Sequence, residues 1–314
     1  MEVRTGVRAD VDAAVGRALL RGRRSDVRGI VFQLALLVAL LLALAVLLVL
    51  LWQTLQDGAS VFAERGVDFL TSGVSSLPER AGVWQGIRGS LTIIAFVVLL
   101  AIPLGIGAAV YLEEYAHDNR LTRAINANIR NLAGVPSIVY GLLGIALFVQ
   151  FQPLVPLTGG RSVISAGLTM SILVLPIVII TSAEALRAVP ASIREAAFGV
   201  GATRSETVRS HVLPYAIPGI LTGTILTLAR AFGEAAPLVM IGASTGFLSE
   251  GSGTFVERLQ GPYTALPIIV YDFATRNLRA FQASTAAAAL VLLGVLLLVN
   301  ATAIILRNRY ERKW

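Results

Sequence analysis

Apolar positions in this chain gather into long uninterrupted runs rather than alternating with polar ones. Six runs stand out, at about 30–52, 89–112, 129–151, 163–183, 215–243 and 281–306. Each is near the ~20 residues that an α-helix needs to cross the hydrocarbon core of a bilayer. β-Barrel strands alternate in polarity along their length, and these runs do not. The pattern therefore predicts an all-α membrane protein with six transmembrane helices. The first run, "IVFQLALLVALLLALAVLLVLLW", is too long for a signal-peptide core and lacks a convincing cleavage site, so it reads as a retained helix. Two longer connections, 53–88 and 244–280, lie on the same side. The second contains "YTALPIIVYDF", apolar but too short to span, which suits a re-entrant or interfacial segment.

Prolines within or beside the runs (Pro103, Pro136, Pro176, Pro218) suit helices whose neighbours re-satisfy the backbone. Gly219 and Gly223 form a G-x-x-x-G face, and Gly141 with Gly144 another close-approach surface. Packing inside the chain is the preferred reading of both, with a subunit interface as the alternative.

Composition agrees. Of 314 residues 55% are hydrophobic and 14% charged, against about 25% charged in a soluble domain, and the mean hydropathy is +0.75. With no cysteine, disulfides, thiolate catalysis and cysteine-held metals are excluded. Two histidines, His117 and His211, make a histidine-rich metal site improbable. The formal charge of +7 is almost wholly arginine. Arginines crowd the N-terminal segment (Arg17, Arg21, Arg23, Arg24, Arg28 among them), the 2–3 and 4–5 loops and the tail, and are sparser in the opposite loops. The positive-inside rule places both termini in the cytoplasm. The basic N-terminus reads first as this orientation signal, with lipid-headgroup or partner binding as the alternative. The chain thus divides into a basic segment 1–29, a six-span domain 30–306 and a tail 307–314.

The loop at about 184–214, "VPASIREAAFGVGATRSETVRSHVLP" in its central part, does not read as slack. Ser192 with Glu195, and Thr203 with Glu206, have capping-box spacing. Two short helices are expected, hinged at Gly199–Gly201, with Ala196 and Ala197 as a low-profile face and Pro214 in the first turn of span five. Such a loop suits docking of another protein. The spacing E-A-A, three residues, Gly, nine residues, a β-branched residue, one residue, Leu-Pro resembles the EAA loop of ABC-importer permeases on Glu195, Ala196, Ala197, Gly201, Leu213 and Pro214. His211 stands where that family usually has an aliphatic residue, which bears on local packing. The resemblance implies a type I ABC importer permease fold. It also implies a coupling segment around 195–206, including Thr203, Arg204 and Glu206, that enters a groove on a cytoplasmic ATPase. A P-loop needs a lysine behind its glycines, and the sole lysine here is Lys313. Magnesium and ATP would sit on the partner, with no cofactor on this chain.

One polar pair interrupts the fifth run. Arg230 and Glu234, four apart in "ARAFGEAAP", sit about halfway along it and would share a helical face. A charge at that depth costs roughly 2.5–3.5 kcal/mol and usually faces an interior or a water-filled path. Self-neutralisation is one reading. The other is an anion site, because a guanidinium matches phosphate oxygens in bidentate fashion. Glu234 would orient Arg230 or accept a hydrogen bond from a protonated oxygen, which phosphate carries at neutral pH and sulfate does not. An unpaired buried acceptor would penalise sulfate.

Five blocks in order over about 86–280 are similar to the A-type permease subunit of phosphate-specific ABC importers: "GSLTIIAFVVLLAIPLGIGAAVYLEEYA", "NIRNLAGVPSIVYGLLG", "ALRAVPASIREAAFGVGA", "LARAFGEAAPLVMIGA" and "YTALPIIVYDFA". That resemblance implies a role for Arg230 and Glu234 in phosphate passage. Ala235 departs from the threonine common after the glutamate, and the first 28 residues have no counterpart in the pattern. The implied assembly pairs this chain with a homologous second permease, two ATPase subunits and an extracytoplasmic phosphate-binding protein in a prokaryotic inner membrane. A permease for sulfate or molybdate is the alternative within that class; an ion-coupled carrier or channel without an ATPase, and an intramembrane enzyme, are the rivals outside it. No nucleophile–base or metal constellation supports the enzyme.

Overall fold

A computed structural model describes residues 27–243, 254–276 and 280–310. Those residues are helical or irregular, with no strand among them. Five helices are long and apolar enough to cross a membrane, and a bent helix pair brings the number to six. The chain divides into two compact units, 1–53 and 54–314.

The first helix, α1 (Val27–Arg65), begins in the smaller unit. From Ile30 to Gln53 its residues are all exposed, Leu40 at 66% and Leu42 at 67%. An apolar surface of that length requires lipid or another protein around it.

In the larger unit, α2 (Val67–Thr71) leads into α3 (Trp84–Tyr115), the second span. The third run is not one helix. α4 (Arg120–Ala133) and α5 (Ser137–Gln150) meet at 101°. Gly134 weakens the helix and Pro136 cannot donate into it, so the expected span at 129–151 is not one continuous helix but is broken between Ala133 and Ser137. α4 carries no buried residue. After the short α6 (Val155–Thr158) comes α7 (Val163–Arg187), the central helix. Its Ala166, Met170, Val174 and Val178 are fully buried. Spaced by four, they form one row that neighbours cover.

α8 (Ala191–Gly199) and α9 (Arg204–Gly233) follow. α9 packs on α7 through the glycine face. A Cβ on Gly219 would lie 2.9 Å from the Ala185 Cβ, and one on Gly223 2.6 Å from the Thr181 Cβ. A Cβ on Gly141 would likewise meet Pro237 at 2.9 Å, so both small-residue surfaces make contacts within the chain.

α10 (Ala236–Ile241) and α11 (Phe255–Leu259) precede α12 (Leu266–Thr275), the short apolar segment. At ten residues it is about 15 Å long, half a bilayer core. Leu266, Ile268, Ile269 and Phe273 are buried, and α12 packs between α3 and α13 (Ala280–Tyr310). Its entry is capped where the Leu266 N–H donates to Ser90 Oγ at 2.9 Å. Behind it, Arg276 pairs with the buried Asp272 at 2.6 Å, donates to the Ser75 carbonyl and lies 4.6 Å from the Phe281 ring centroid.

Candidate functional site

Two regions carry the expected site residues: the end of α9 and the loop before it. The expected fifth span at 215–243 breaks at Glu234, whose φ of −77° and ψ of 116° are extended. Pro237 is the cause, since it has no N–H for the Gly233 carbonyl four residues back and its ring would clash with that carbonyl. Arg230 therefore lies in the last helical turn, not mid-helix, and Glu234 just beyond the helix rather than on the same helical face. The two side chains still meet, Arg230 Nε to Glu234 Oε1 at 3.4 Å.

Arg230 is turned away from the chain's own core. Thr224, Thr227, Leu228, Ala231 and Phe232 form the buried face of this part of α9. On the opposite face Leu226 is 68% exposed, the Arg230 side chain 53% and that of Glu234 20%. Arg307, near the end of α13, reaches the Thr222 hydroxyl at 3.2 Å. Arg230 lies eight residues further along α9, about 12 Å beyond that level. A half-exposed guanidinium thus sits well inside an apolar stretch, with a carboxylate as its described ion-pair partner.

The loop is more ordered than its sequence suggests. The capping box expected at Ser192 and Glu195 is absent: α8 starts at Ala191 behind Pro190, with no side-chain cap. Arg194 sets that start by donating to the Leu186 and Val189 carbonyls at 3.0 and 2.9 Å, which folds the new helix onto the end of α7. At the other end Gly201 has φ +86°, the left-handed region that favours glycine. The Gly201 N–H donates to the Phe198 carbonyl and the Ala202 N–H to the Ala197 carbonyl, both at 3.0 Å. This is a Schellman termination, and it accounts for the Ala-Ala, three residues, Gly spacing. Ala197 is buried beneath the turn, whereas Glu195 and Ala196 are exposed. Phe198 and Val200 project at 49% and 86% exposure.

The second capping box forms. The Thr203 N–H donates to Glu206 Oε2 at 2.8 Å, and the Glu206 N–H to Thr203 Oγ1 at 3.3 Å. The helix it starts is not a separate short one. From Arg204 it runs through a π-helical turn at Val208–Val212 and past Pro214 into the span, so one helix extends to Gly233. The wider turn accommodates the proline's missing donor. His211 is exposed there and Val212 is buried, so the unusual histidine leaves the packing intact.

Three arginines, Arg187, Arg194 and Arg204, have partners within the chain that the sequence did not reveal. Arg187 pairs with Glu113, Nε to Oε2 at 2.8 Å with a second bond to Oε1. Arg194 pairs with Glu114 at 2.6 Å. Arg204 lies 5.7 Å from the Tyr115 ring centroid. Adjacent carboxylates at the end of an apolar run are the signal that could have drawn attention to this cluster. Among the described residues no group of three or more His, Cys, Asp or Glu could hold a metal ion.

Comparison with known proteins bears on both regions. The family model described as "Binding-protein-dependent transport system inner membrane component" matches residues 101–313. The chain is 36% identical over 178 residues to "Probable ABC transporter permease protein YqgI" of Bacillus subtilis (strain 168), covering 56% of this chain. It spans only 58% of the length of that relative. It is 34% identical to "Phosphate transport system permease protein PstA 1" of Mycobacterium tuberculosis (strain ATCC 25618 / H37Rv), over 74% of this chain and 72% of the other. Among solved structures it is similar in fold, at 16% identity, to a chain of a bacterial ABC transporter involved in the import of alginate. The TM-score is 0.63, over 88% of this chain and 96% of that one.

Proposed function

The chain belongs to the family of binding-protein-dependent transport system inner membrane components, and from that premise we propose that it forms half of the passage of an ATP-driven importer of inorganic phosphate. The half-exposed Arg230 carries the reading. A guanidinium facing lipid at that depth costs several kcal/mol, so a face bearing one suits a water-filled path shared with a second permease. Glu234 beside it holds the fork in place and accepts from a protonated oxyanion.

The partners are a homologous second permease, two ATPases carrying magnesium and ATP, and an extracytoplasmic phosphate-binding protein. With the basic ends in the cytoplasm, α8 and the Gly201 turn present Phe198, Val200, Glu195 and Ala196 to the ATPase groove, while Thr203 and Glu206 cap the helix behind them. Closure of the ATPases shifts the loop and alternately opens the two sides. The chemistry of ATP cleavage lies on the partners, and this chain moves and selects the anion. A sulfate or molybdate permease is the second reading; the proton acceptor at Glu234 favours phosphate.

The test is ATP-driven uptake by the reconstituted complex with phosphate or sulfate. Arg230→Ala removes charge-assisted hydrogen bonds, and uptake of phosphate should fall about 10- to 100-fold. Glu234→Gln should narrow the preference for phosphate over sulfate. If both variants carry phosphate at the rate of the unaltered complex, the anion site is elsewhere.

A further inference from the structure

One turn at the end of α3 holds the loop between α7 and α9 at three points. Glu113, Glu114 and Tyr115 are consecutive in a π-helical turn, Tyr111–Tyr115, so their side chains leave the helix in different directions. Their partners are spaced widely along the sequence. Arg187 is the last residue of α7, Arg194 is in the middle of α8 and Arg204 is the first residue of α9. A single turn thus meets the entry, the centre and the exit of the loop.

The central contact is the most enclosed. Glu114 is 6% exposed. Arg194 bonds both its carboxylate oxygens, at 2.6 and 3.4 Å, and also the Leu186 and Val189 carbonyls. An arginine that closes the α7–α8 corner and pairs with α3 at once ties the orientation of α8 to that span. The Glu113–Arg187 pair is bidentate and more exposed, with side chains 16% and 46% accessible. Two-point pairing of this kind fixes direction as well as distance.

We propose that Glu113, Glu114 and Tyr115 form a clasp that transmits movement of the loop to the spans, with Glu114 and Arg194 as its main positioning residues. This rests on the reading of α8 as the ATPase-docking element. Without the clasp, α8 could rock on its own: it has only nine residues, and the two bonds of the Gly201 turn are made within α8 and its own end rather than to another span. With it, α8 cannot turn without taking along the ends of α3, α7 and α9.

Two measurements on the full reconstituted complex test this. The first is phosphate taken up per ATP hydrolysed. Glu114→Gln should lower it about tenfold, within the 5- to 150-fold span typical of coupling between sites, while hydrolysis persists. Glu114→Asp, which keeps the carboxylate and leaves Arg194 on the Leu186 and Val189 carbonyls, should lose less than Glu114→Gln. Parallel loss of uptake and hydrolysis, or an unchanged ratio, overturns the clasp.

The second measurement does not depend on the cargo. The chain has no cysteine, so spin labels at His117→Cys and Ser192→Cys can report the distance between the end of α3 and α8. With the clasp intact, trapping with ATP and vanadate should leave that distance unchanged. With Glu113→Gln and Glu114→Gln together it should shift by several ångström. A shift of equal size in the unaltered complex refutes the proposal. Failed phosphate uptake with the label result as expected would count against the cargo alone.

Discussion

Replacing Gly201 isolates a backbone effect from a packing effect. A Cβ built there meets no atom within 4 Å, so a side chain adds no collision within the chain. What remains is conformational: φ is +86°, where an L-residue costs about 1–2 kcal/mol. Gly201→Ala should therefore reduce the population of the ordered turn about 5- to 30-fold relative to alternatives. Gly201→Asn should lose less, because asparagine visits this region more readily, and Gly201→Val more, because it is β-branched. Gly201→Pro cannot adopt the conformation at all, with φ locked near −65°, and it also deletes the N–H that bonds the Phe198 carbonyl. ATP-driven phosphate uptake by the reconstituted complex, with the amount of ATPase retained on purification, should decline in the order Gly, Asn, Ala, Val, Pro. Valine performing as well as glycine, or proline retaining uptake, would refute the left-handed turn as the reason for glycine here. An asparagine variant as poor as valine would also contradict it, since size rather than backbone would then govern.

Gly223→Leu should lower the melting temperature of the solubilised complex, because a Cβ there falls 2.6 Å from the Thr181 Cβ and overpacking costs about 1–3 kcal/mol; an unchanged melting temperature would contradict the close α7–α9 contact. Arg276→Ala strands the buried Asp272 carboxylate, a loss of about 3 kcal/mol by the same assay, and adding Asp272→Asn should recover part of it; no recovery would mean that the stacking of Arg276 on Phe281 matters more than the charge.

Much of this architecture follows from local pattern. Runs of about twenty apolar residues locate α1, α3, α7 and α13 because the runs are long enough to span, and α3 and α7 continue through Pro103 and Pro176. The Thr203–Glu206 box is readable because both residues act within a single turn. Breaks depend on atoms further off and are harder to see. Glu234 leaves the helix because of a proline three residues later, and the α4–α5 bend comes from Gly134 and Pro136 within a run that is otherwise apolar. Ser192 shows the other limit. It has the spacing of a cap, but Arg194 fastens the chain to the end of α7 and the helix starts two residues earlier, with Pro190 in place of Ser192 as its N-cap. The clasp was out of reach of spacing altogether, since Glu114 and Arg194 are eighty residues apart. The Arg230–Glu234 pair was visible as a charge anomaly, but the exposure of Arg230 depends on which face of α9 packs on α7.

The Gly201 turn and the Arg230–Glu234 contact lie at opposite ends of one helix. α9 runs 30 residues from Arg204 to Gly233, about 45 Å, with Arg204 against Tyr115 at one end and Arg230 in the last turn at the other. A helix of that kind might be expected to slide or rotate by itself. The glycine face argues against it: at Gly219 and Gly223 the backbone comes so close to Ala185 and Thr181 that α9 has no room to ride over α7. α7 in turn ends at Arg187, which Glu113 holds at the end of α3. The three spans are therefore tied both along their packed faces and at their ends beside the loop. Departures from regular α-helix lie within these spans as well, at the π-helical turns Val97–Ala101 and Tyr111–Tyr115 of α3 and Val208–Val212 of α9, and α9 ends at the break on Glu234. On the proposed coupling, motion that reaches Arg230 from the loop is a tilt of the packed parts of α3, α7 and α9 together. That tilt swings the exposed face of α9, with its guanidinium, relative to whatever lies across the passage, while Glu234 beyond the break keeps the freedom to follow.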